Sequence, residues 1–218
     1  RGYKFSVYEG GLRVPLIARW PGVIAEGGTC NALVGLNDLM ATFAELTGVE
    51  LNGNQAPDSI SFAKLLPKPR TEGTRQNLVM QSVVSFAVRD GHWKLCLCPG
   101  AGTPSDQRNA KGNDPSPDVA WRKALGGFEG KLKENDLLKV PFVQLFNLAN
   151  DPHEDKNLAA KHPERVSKMV ALLKNQIENG RSTLGPKLKN DKNARIVYTK
   201  DRRLPAFVRE RLIPSRKK

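Results

Sequence analysis

The feature that most constrains the fold is an amphipathic helix between Pro163 and Gly180. Its apolar residues recur at spacings of three and four: Val166, Met169, Val170, Leu173 and Ile177. Pro163 and Glu164 suit the first turn of a helix, and Gly180 suits its end. Because only one face of this helix is apolar, it needs one partner layer. We expect it to pack on a small antiparallel sheet made by the strands that precede it.

Short runs rich in apolar residues upstream of this helix predict the strands of that sheet. They cover residues 78–84, 85–88, 93–98 and 143–148. The dipeptide Asp90-Gly91 separates the second run from the third, and this pair is a strong signal for a tight hairpin. The sequence therefore predicts a hairpin within the sheet.

Two further elements are predicted nearer the start of the chain. Residues 14–20 form an apolar run closed by Pro21-Gly22, a pattern typical of a buried strand and a turn. A helix is predicted after Asn37 or Asp38, either of which can cap its start. Gly48 would end this helix, because glycine readily takes the left-handed conformation found there.

The charge of the chain is concentrated at one end. The 218 residues carry a net charge of +13, and residues 181–218 alone contribute +10. A basic segment of this kind can attract nucleic acid or an acidic polysaccharide. Only Tyr198 and Phe207 supply aromatic rings there, which argues against nucleic acid. No run of eighteen apolar residues is present, so no membrane span is predicted.

The cysteines and histidines do not form a metal-binding pattern. Cys96 and Cys98 would share one face of a strand, no second pair of cysteines exists, and we interpret all three cysteines, Cys30 included, as packing residues. The three histidines are interpreted as turn or capping residues: His92, His153 and His162. The acidic run 151–155 lacks the regular oxygen spacing of a calcium loop. No metal ligand is predicted in this chain.

A signature near the start of the chain is much more specific. It consists of Lys4, then Tyr8-Glu9-Gly10-Gly11, then Arg13-Val14-Pro15, and finally Trp20-Pro21-Gly22. Three later motifs follow it in order, at residues 38–49, 87–95 and 145–159. Together these four motifs resemble the sulfatase family over roughly 160 residues. The order and spacing make the resemblance far stronger than a lone Glu-Gly-Gly would be.

The resemblance implies the C-terminal part of an alkaline-phosphatase-like α/β sulfatase. Residues 1–50 would be the last strand and helix of the large α/β domain, and residues 51–77 a surface connection with one helical turn near residues 62–66. Residues 78–180 would form the antiparallel sheet with its packed helix, and residues 181–218 a basic tail. By the same resemblance the parent enzyme would be periplasmic or secreted.

The resemblance also assigns roles to single residues. Lys4 matches the family lysine that contacts the sulfate, so it is our candidate catalytic and substrate-binding residue. An ammonium group suits this task as a compact positive charge. Glu9 and Arg13 are interpreted as structural residues that pair with each other or with upstream groups. Gly10 and Gly11 are expected to permit a sharp backbone turn. Without the resemblance, Lys4 would be read as a solvated surface charge.

Other family features are not found in this sequence. No Cys-x-Pro-x-Arg motif occurs, which is the site of formylglycine in the family, and the calcium ligands have no counterpart either. The resemblance implies that both belong to the missing N-terminal part, that the isolated chain is inactive, and that the parent enzyme hydrolyses a sulfated small molecule or polysaccharide. Two alternatives stay open: a phosphoryl-transfer relative, and a stand-alone module that binds anions or polysaccharides through the basic tail.

Overall fold

The structure, a computed structural model, describes residues 2, 6–68, 73–82, 85–98, 100 and 141–191. The contacts among these residues divide the chain into two units. The first unit contains the residues up to 14 together with 79–174, and the second contains 15–78 together with 175–191. The basic tail beyond residue 191 lies outside the described residues.

The first unit is built on a four-stranded sheet in the order β1-β2-β3-β4, counted over the described part of the chain. The strands are β1 (Asn77–Gln81), β2 (Phe86–Asp90), β3 (Trp93–Leu97) and β4 (Val143–Asn147). β3 pairs antiparallel with both β2 and β4. Asp90 lies opposite Trp93, and Gly91 between them has a φ angle of 57°. The predicted Asp-Gly hairpin is therefore confirmed.

The central strand β3 is buried on both faces. Leu95 and Leu97 point to one face, while Cys96 and Cys98 point to the other, and all four are at most 1% exposed. Both cysteines belong to an apolar cluster with side chains from the start of the chain and from β2 and β4. The interpretation of these two as packing residues is confirmed. It is wrong for Cys30, which is exposed.

The predicted amphipathic helix is present as Pro163–Asn179. Four residues of its apolar stripe are fully buried: Val166, Met169, Val170 and Leu173. Gly180 follows with a φ angle of 64°, the left-handed conformation expected after a helix end. Near the helix start, the Arg165 guanidinium lies 4.9 Å from the centre of the Trp93 ring, which belongs to β3. The helix boundaries were therefore predictable from periodicity and end signals.

The second unit contains the predicted upstream helix, Leu39–Thr47, ended by Gly48 with a φ angle of 71°. A short 3-10 helix, Leu36–Asp38, precedes it, and another, Ala63–Leu65, forms the predicted helical turn of the connection. The Asp38 carboxylate does not cap Leu39–Thr47. It accepts the backbone N–H groups of Gly35 and Ile60 at 2.8 and 2.9 Å instead.

Asp38 is also half of a buried ion pair with Arg75. The Arg75 guanidinium donates to both Asp38 carboxylate oxygens, and the side chains are 2% and 1% exposed. The same guanidinium donates to the backbone oxygens of Asp58 and Asn77 at 2.6 and 3.1 Å. One buried arginine thus ties the connection to the start of helix Leu39–Thr47. The connection is not purely a surface segment.

Residues 14–20 do not form the predicted strand in this structure. Val14, Leu16 and Ile17 are 57%, 51% and 89% exposed. A strand is held by ladder hydrogen bonds to a neighbour, and the described part of this chain places none beside the segment. The following turn is present, because the N–H groups of Val23 and Ile24 donate to the Trp20 carbonyl.

Large apolar side chains stay exposed along the same part of the second unit. On helix Leu39–Thr47, Met40, Phe43 and Leu46 are 55%, 59% and 39% exposed. Their spacing places them on one side of the helix. Among the described residues, no helix has the length and apolar character needed to cross a membrane.

We expect Arg75→Met to lower the free energy of unfolding of the chain by about 3 kcal/mol, because it leaves the Asp38 carboxylate buried without its cation. Urea unfolding followed by circular dichroism would measure this loss. The matched control is Lys64→Met, since Lys64 is exposed in the same unit and should change stability by less than about 0.5 kcal/mol. A loss for Arg75→Met as small as that of the control would contradict the assignment.

Candidate functional site

The candidate site begins at the signature near the start of the chain. Lys4, the predicted sulfate contact, lies outside the described residues, and the signature is described from Ser6 onward. Ser6, Val7 and Tyr8 are each at most 1% exposed. A run of three buried residues therefore begins two positions after Lys4 in the sequence.

The signature then turns through one short helix, Glu9–Leu12. The Gly11 N–H donates to the Tyr8 carbonyl at 2.9 Å, and the Arg13 N–H donates to the Glu9 carbonyl at 2.7 Å. Gly10 lies in this right-handed turn as Gly11 does, and neither has a positive φ angle. The expected turn is therefore present, but its backbone conformation is one that residues other than glycine also adopt. An ordinary helical turn suffices here.

Tyr8 fixes the signature to the sheet of the first unit. Its hydroxyl donates to Gln144 Oε1 at 2.6 Å, and Gln144 Nε2 donates to the backbone oxygens of Cys98 and Gly100 at 2.9 and 2.8 Å. The Tyr8 ring meets the Phe146 ring edge to face, with centroids 6.0 Å apart. The phenol is thus buried with its polar group satisfied, and it joins the signature to β4.

Glu9 fixes the signature through charge. Lys94 Nζ, on β3, lies 2.8 Å from Glu9 Oε1 and 2.9 Å from Glu154 Oε1. The side chains of Lys94 and Glu154 are 0% exposed, and that of Glu9 is 12% exposed. We call these three residues the buried ion cluster. It joins the signature, the centre of the sheet and the turn that follows β4.

Glu154 also holds the backbone of the signature. Its Oε2 accepts the Glu9 N–H at 2.8 Å, so Glu9 is bound through both main chain and side chain. Glu154 has a φ angle of 60°, which is uncommon for a residue other than glycine, asparagine or aspartate. Its own N–H donates to the Asp151 carbonyl at 3.1 Å. The turn after β4 thereby directs a carboxylate into the protein.

Burial and charge act in opposite directions on the cluster. Burial on its own would raise the pKa of the Glu9 carboxyl, but the Lys94 ammonium and the nearby Arg89 and Arg13 lower it below its ordinary value. Burial would lower the pKa of Lys94, but the nearby Cys96 and the two glutamates raise it above its ordinary value. For Glu154 the cost of burial exceeds the attraction of Lys94, so its pKa is raised.

Two arginines near Glu9, one on β2 and one in the signature, interact with it less closely than Lys94 does. The Arg89 guanidinium lies 3.9 Å from Glu9 Oε2, and Arg89 also donates to the Gly91 carbonyl at 3.1 Å. Arg13 acts on Glu9 through its charge. Glu9 was expected to pair with Arg13 or with upstream groups, and the structure pairs it with Lys94. Its structural role is retained with a different partner.

The buried ion cluster does not bind an anion. Two carboxylates surround one ammonium, so when all three are ionised the cluster carries excess negative charge and repels a sulfate. The Lys94 ammonium is already shared by Glu9 and Glu154. Lys94 holds the Glu9 side chain and Glu154 holds the Glu9 N–H, so the cluster has a supporting role.

Metal binding finds no support among the described residues. No group of three or more His, Cys, Asp or Glu side chains is gathered in a way that could hold an ion. In the acidic run 151–155, the Asp151 carboxylate accepts the N–H groups of Asp155 and Lys156, and Glu154 is turned toward Lys94. His162 stacks edge-on against Trp93. These side chains therefore have partners other than a metal.

Sequence reasoning identified all three motifs that contribute to the cluster without finding that they meet. Lys94 was read as strand material, and Glu154 as part of the acidic run 151–155. One signal was available: Lys94 shares its face of β3 with Cys96 and Cys98, so a lysine there needs a buried carboxylate partner. Which carboxylate it would be depends on pairings 60 or more residues apart in the sequence.

The lowered pKa of Glu9 predicts how stability depends on pH. The folded state favours the ionised carboxylate, so its stabilisation is complete above the unfolded pKa of about 4.3 and is lost as the pH falls through the lower folded value. Glu9→Gln should therefore unfold at lower urea concentration than the unaltered chain near neutral pH. That difference should shrink as the pH falls toward about 3.

Urea unfolding over this pH range would measure the effect. Glu164→Gln is the matched control, because the Glu164 side chain is 74% exposed, and it should shift stability by less than about 0.5 kcal/mol. A difference between Glu9→Gln and the unaltered chain that stays constant from neutral to acidic pH would show that the Glu9 charge does not stabilise the fold.

Comparisons with known proteins agree with the signature. No family model matches the chain. Among curated proteins, it is 32% identical over 180 residues to an ulvan-active sulfatase from Formosa agariphila, covering 78% of this chain and 33% of the relative. It is 33% identical over 175 residues to N-acetylgalactosamine-6-O-sulfatase from Bacteroides thetaiotaomicron, covering 79% and 29%. Human arylsulfatase A is 31% identical over 195 residues, covering 84% and 34%.

A solved structure supports the same relationship. The chain is similar to a Bacteroides thetaiotaomicron protein described with the metabolism of multiple glycosaminoglycans, at a TM-score of 0.59 and 28% identity. The match covers 80% of this chain and 31% of that protein. The chain thus spans about a third of the length of the relatives it matches. The small antiparallel sheet and its helix agree with the C-terminal part of the alkaline-phosphatase-like fold. This chain belongs to the sulfatase family and corresponds to a C-terminal portion of it.

Proposed function

We propose that this chain is the C-terminal portion of a sulfatase that hydrolyses sulfate esters, and that Lys4 contacts the sulfate. The observation that carries the proposal is the signature itself. Lys4 matches the family lysine and lies two positions before a segment that is buried from Ser6 to Tyr8 and bound at Glu9. Relatives about 30% identical over most of the chain are sulfatases.

The chemistry explains why a lysine is needed. A sulfate ester carries a dispersed negative charge, and more charge develops on its oxygens as the S–O bond to the alcohol breaks. A fixed cation near these oxygens stabilises the transition state more than the ground state. Lys4 would supply such a charge, and the buried segment after it would limit how far the lysine can move.

The nucleophile and the metal would come from elsewhere in the enzyme. Members of the family use formylglycine as nucleophile and calcium as the cation at the sulfate. The acidic groups described in this chain do not suit the calcium ion, because the carboxylates of Asp151 and Glu154 already bind backbone N–H groups or Lys94. We therefore assign no step through either group to this chain, and we expect it to be inactive alone.

The exposed apolar residues of the second unit fit this proposal. Residues 1–50 would complete a large α/β domain whose other strands would pair with residues 14–20 and cover helix Leu39–Thr47. In the isolated chain these surfaces are open to solvent: Ile17 is 89% exposed and Phe43 is 59% exposed. Apolar exposure of this extent is typical of a surface that is covered in the working protein.

The names of two relatives support a substrate class. One is named for activity on ulvan, and another for removing a 6-O-sulfate from N-acetylgalactosamine. We propose a sulfated carbohydrate, whether oligosaccharide or polysaccharide, as the substrate. The basic charge of residues 181–218 would favour the approach of such a polyanion to the enzyme. Enzymes acting on these substrates would work in the periplasm or outside the cell.

We expect Lys4→Ala in the complete enzyme to lower kcat/KM for a sulfated sugar by about 100-fold or more, because a charge at the transition state is lost. The matched control is Lys168→Ala, since Lys168 is exposed on helix Pro163–Asn179 and should leave turnover unchanged. Assays on sulfate and phosphate esters of the same alcohol would separate sulfatase activity from phosphoryl transfer.

Two results would contradict the proposal. A normal rate for Lys4→Ala would remove this residue from the site. Absence of sulfate-ester turnover by the complete protein, together with salt-sensitive binding of sulfated polysaccharide, would favour the anion-binding module instead.

A further inference from the structure

The buried ion cluster has no part in the proposed chemistry, yet it is the most strongly charged buried feature of the first unit. Lys94 and Glu154 are fully buried, and Glu9 is nearly so. Apolar residues of similar size are often at least as stable as a buried ion cluster, so stability alone does not explain it. Charged clusters can instead select one geometry for the groups they bind.

This cluster fixes the position of the signature at Glu9. Glu9 is bound at its N–H by Glu154 Oε2 at 2.8 Å and at its carboxylate by Lys94 Nζ at 2.8 Å. Lys94 lies on the central strand β3, and Glu154 lies in the turn after β4. Two separate elements therefore fix the main chain and the side chain of the same residue.

Glu9, the residue that the cluster holds in place, is close to Lys4 along the chain. Glu9 lies five positions after Lys4, and an extended stretch of that length spans at most about 18 Å. Ser6, Val7 and Tyr8, which lie between them, are buried, so the stretch of chain from the nearest buried residue to Lys4 is shorter still. The position of Glu9 thus constrains where the Lys4 segment can lie.

The backbone of Glu154 gives independent support. Its φ angle of 60° is unfavourable for a side chain with a Cβ atom, and such residues persist where the surroundings fix them strongly. Here the fixing contacts are the Asp151 carbonyl, the Glu9 N–H and the Lys94 ammonium. Residues held in this way cluster at sites where function depends on geometry.

We propose that Lys94 and Glu154 are positioning residues, which hold the Ser6–Glu9 segment so that Lys4 meets the sulfate. This inference rests on the proposed function. Neither residue touches substrate, because the Lys94 ammonium is shared by two carboxylates and Glu154 is fully buried. They act through the backbone of the signature, and a misplacement of about 1 Å at a reacting group can cost about 100-fold in rate.

The test is a double-mutant cycle in the complete enzyme, with kcat and KM measured on a sulfated sugar. Lys94→Met removes both ion pairs while keeping an unbranched apolar side chain. In the background with Lys4 intact, Lys94→Met should lower kcat/KM by about 10-fold to 100-fold, mainly through kcat. In the Lys4→Ala background, the same change should cost less than about two-fold, because there is no longer a lysine to position.

A matched control separates positioning from general destabilisation. Leu95→Ala alters the next residue of β3, which is also fully buried but faces away from the cluster. It should lower the unfolding midpoint while leaving kcat/KM of the folded enzyme within about two-fold in both backgrounds. If Lys94→Met does not fold, Glu154→Gln replaces it in the cycle, since Gln keeps an acceptor for the Glu9 N–H and removes the charge.

Each outcome decides the inference. Equal losses with and without Lys4, or a normal rate for both Lys94→Met and Glu154→Gln, would overturn the positioning role alone. A normal rate for Lys4→Ala would overturn the proposed role of Lys4 and this inference with it. A large loss that disappears in the Lys4→Ala background would support both.

Discussion

The first unit depends on placing one lysine between two carboxylates in the protein interior. Lys94 occupies a strand position that faces the protein interior, where an ammonium is costly unless it is paired. Glu9 and Glu154 provide that pairing from segments far apart in the sequence, and the strand, the signature and the turn after β4 must meet for both ion pairs to form. Loss of Lys94 would leave two carboxylates inside the protein without their cation. This makes the interaction a strong constraint on the geometry.

This constraint connects the first motif of the family resemblance, the signature, with the later motifs on β3 and after β4. Tyr8 reaches β4 through Gln144, and Glu9 reaches β3 and the turn beyond β4 through Lys94 and Glu154. The C-terminal sheet therefore supports the segment that carries the proposed sulfate contact. In a sulfatase this would give the C-terminal sheet a supporting role in the enzyme. It would help to set the geometry of one side of the pocket.

The sequence predicted local features well, and it missed those that depend on distant pairing. The helix Pro163–Asn179 follows from apolar periodicity with a proline at its start, and the hairpin follows from Asp-Gly, because both signals are local. The strand predicted at residues 14–20 is not formed, since a strand requires a neighbour as well as its own apolar residues. The signature indicated the family, while the partners of Glu9 depended on tertiary packing that no spacing rule reveals.

Amide hydrogen exchange at Glu9 tests the central claim most directly. Its N–H donates to a fully buried carboxylate on Glu154, so this amide should exchange only when the sheet opens, at a rate similar to the amides of β3 and β4. The residue lies in the first turn of a four-residue helix, where an amide has no acceptor within the helix and would exchange faster without this partner. Exchange at Glu9 as fast as in the exposed turns of the chain would contradict the account.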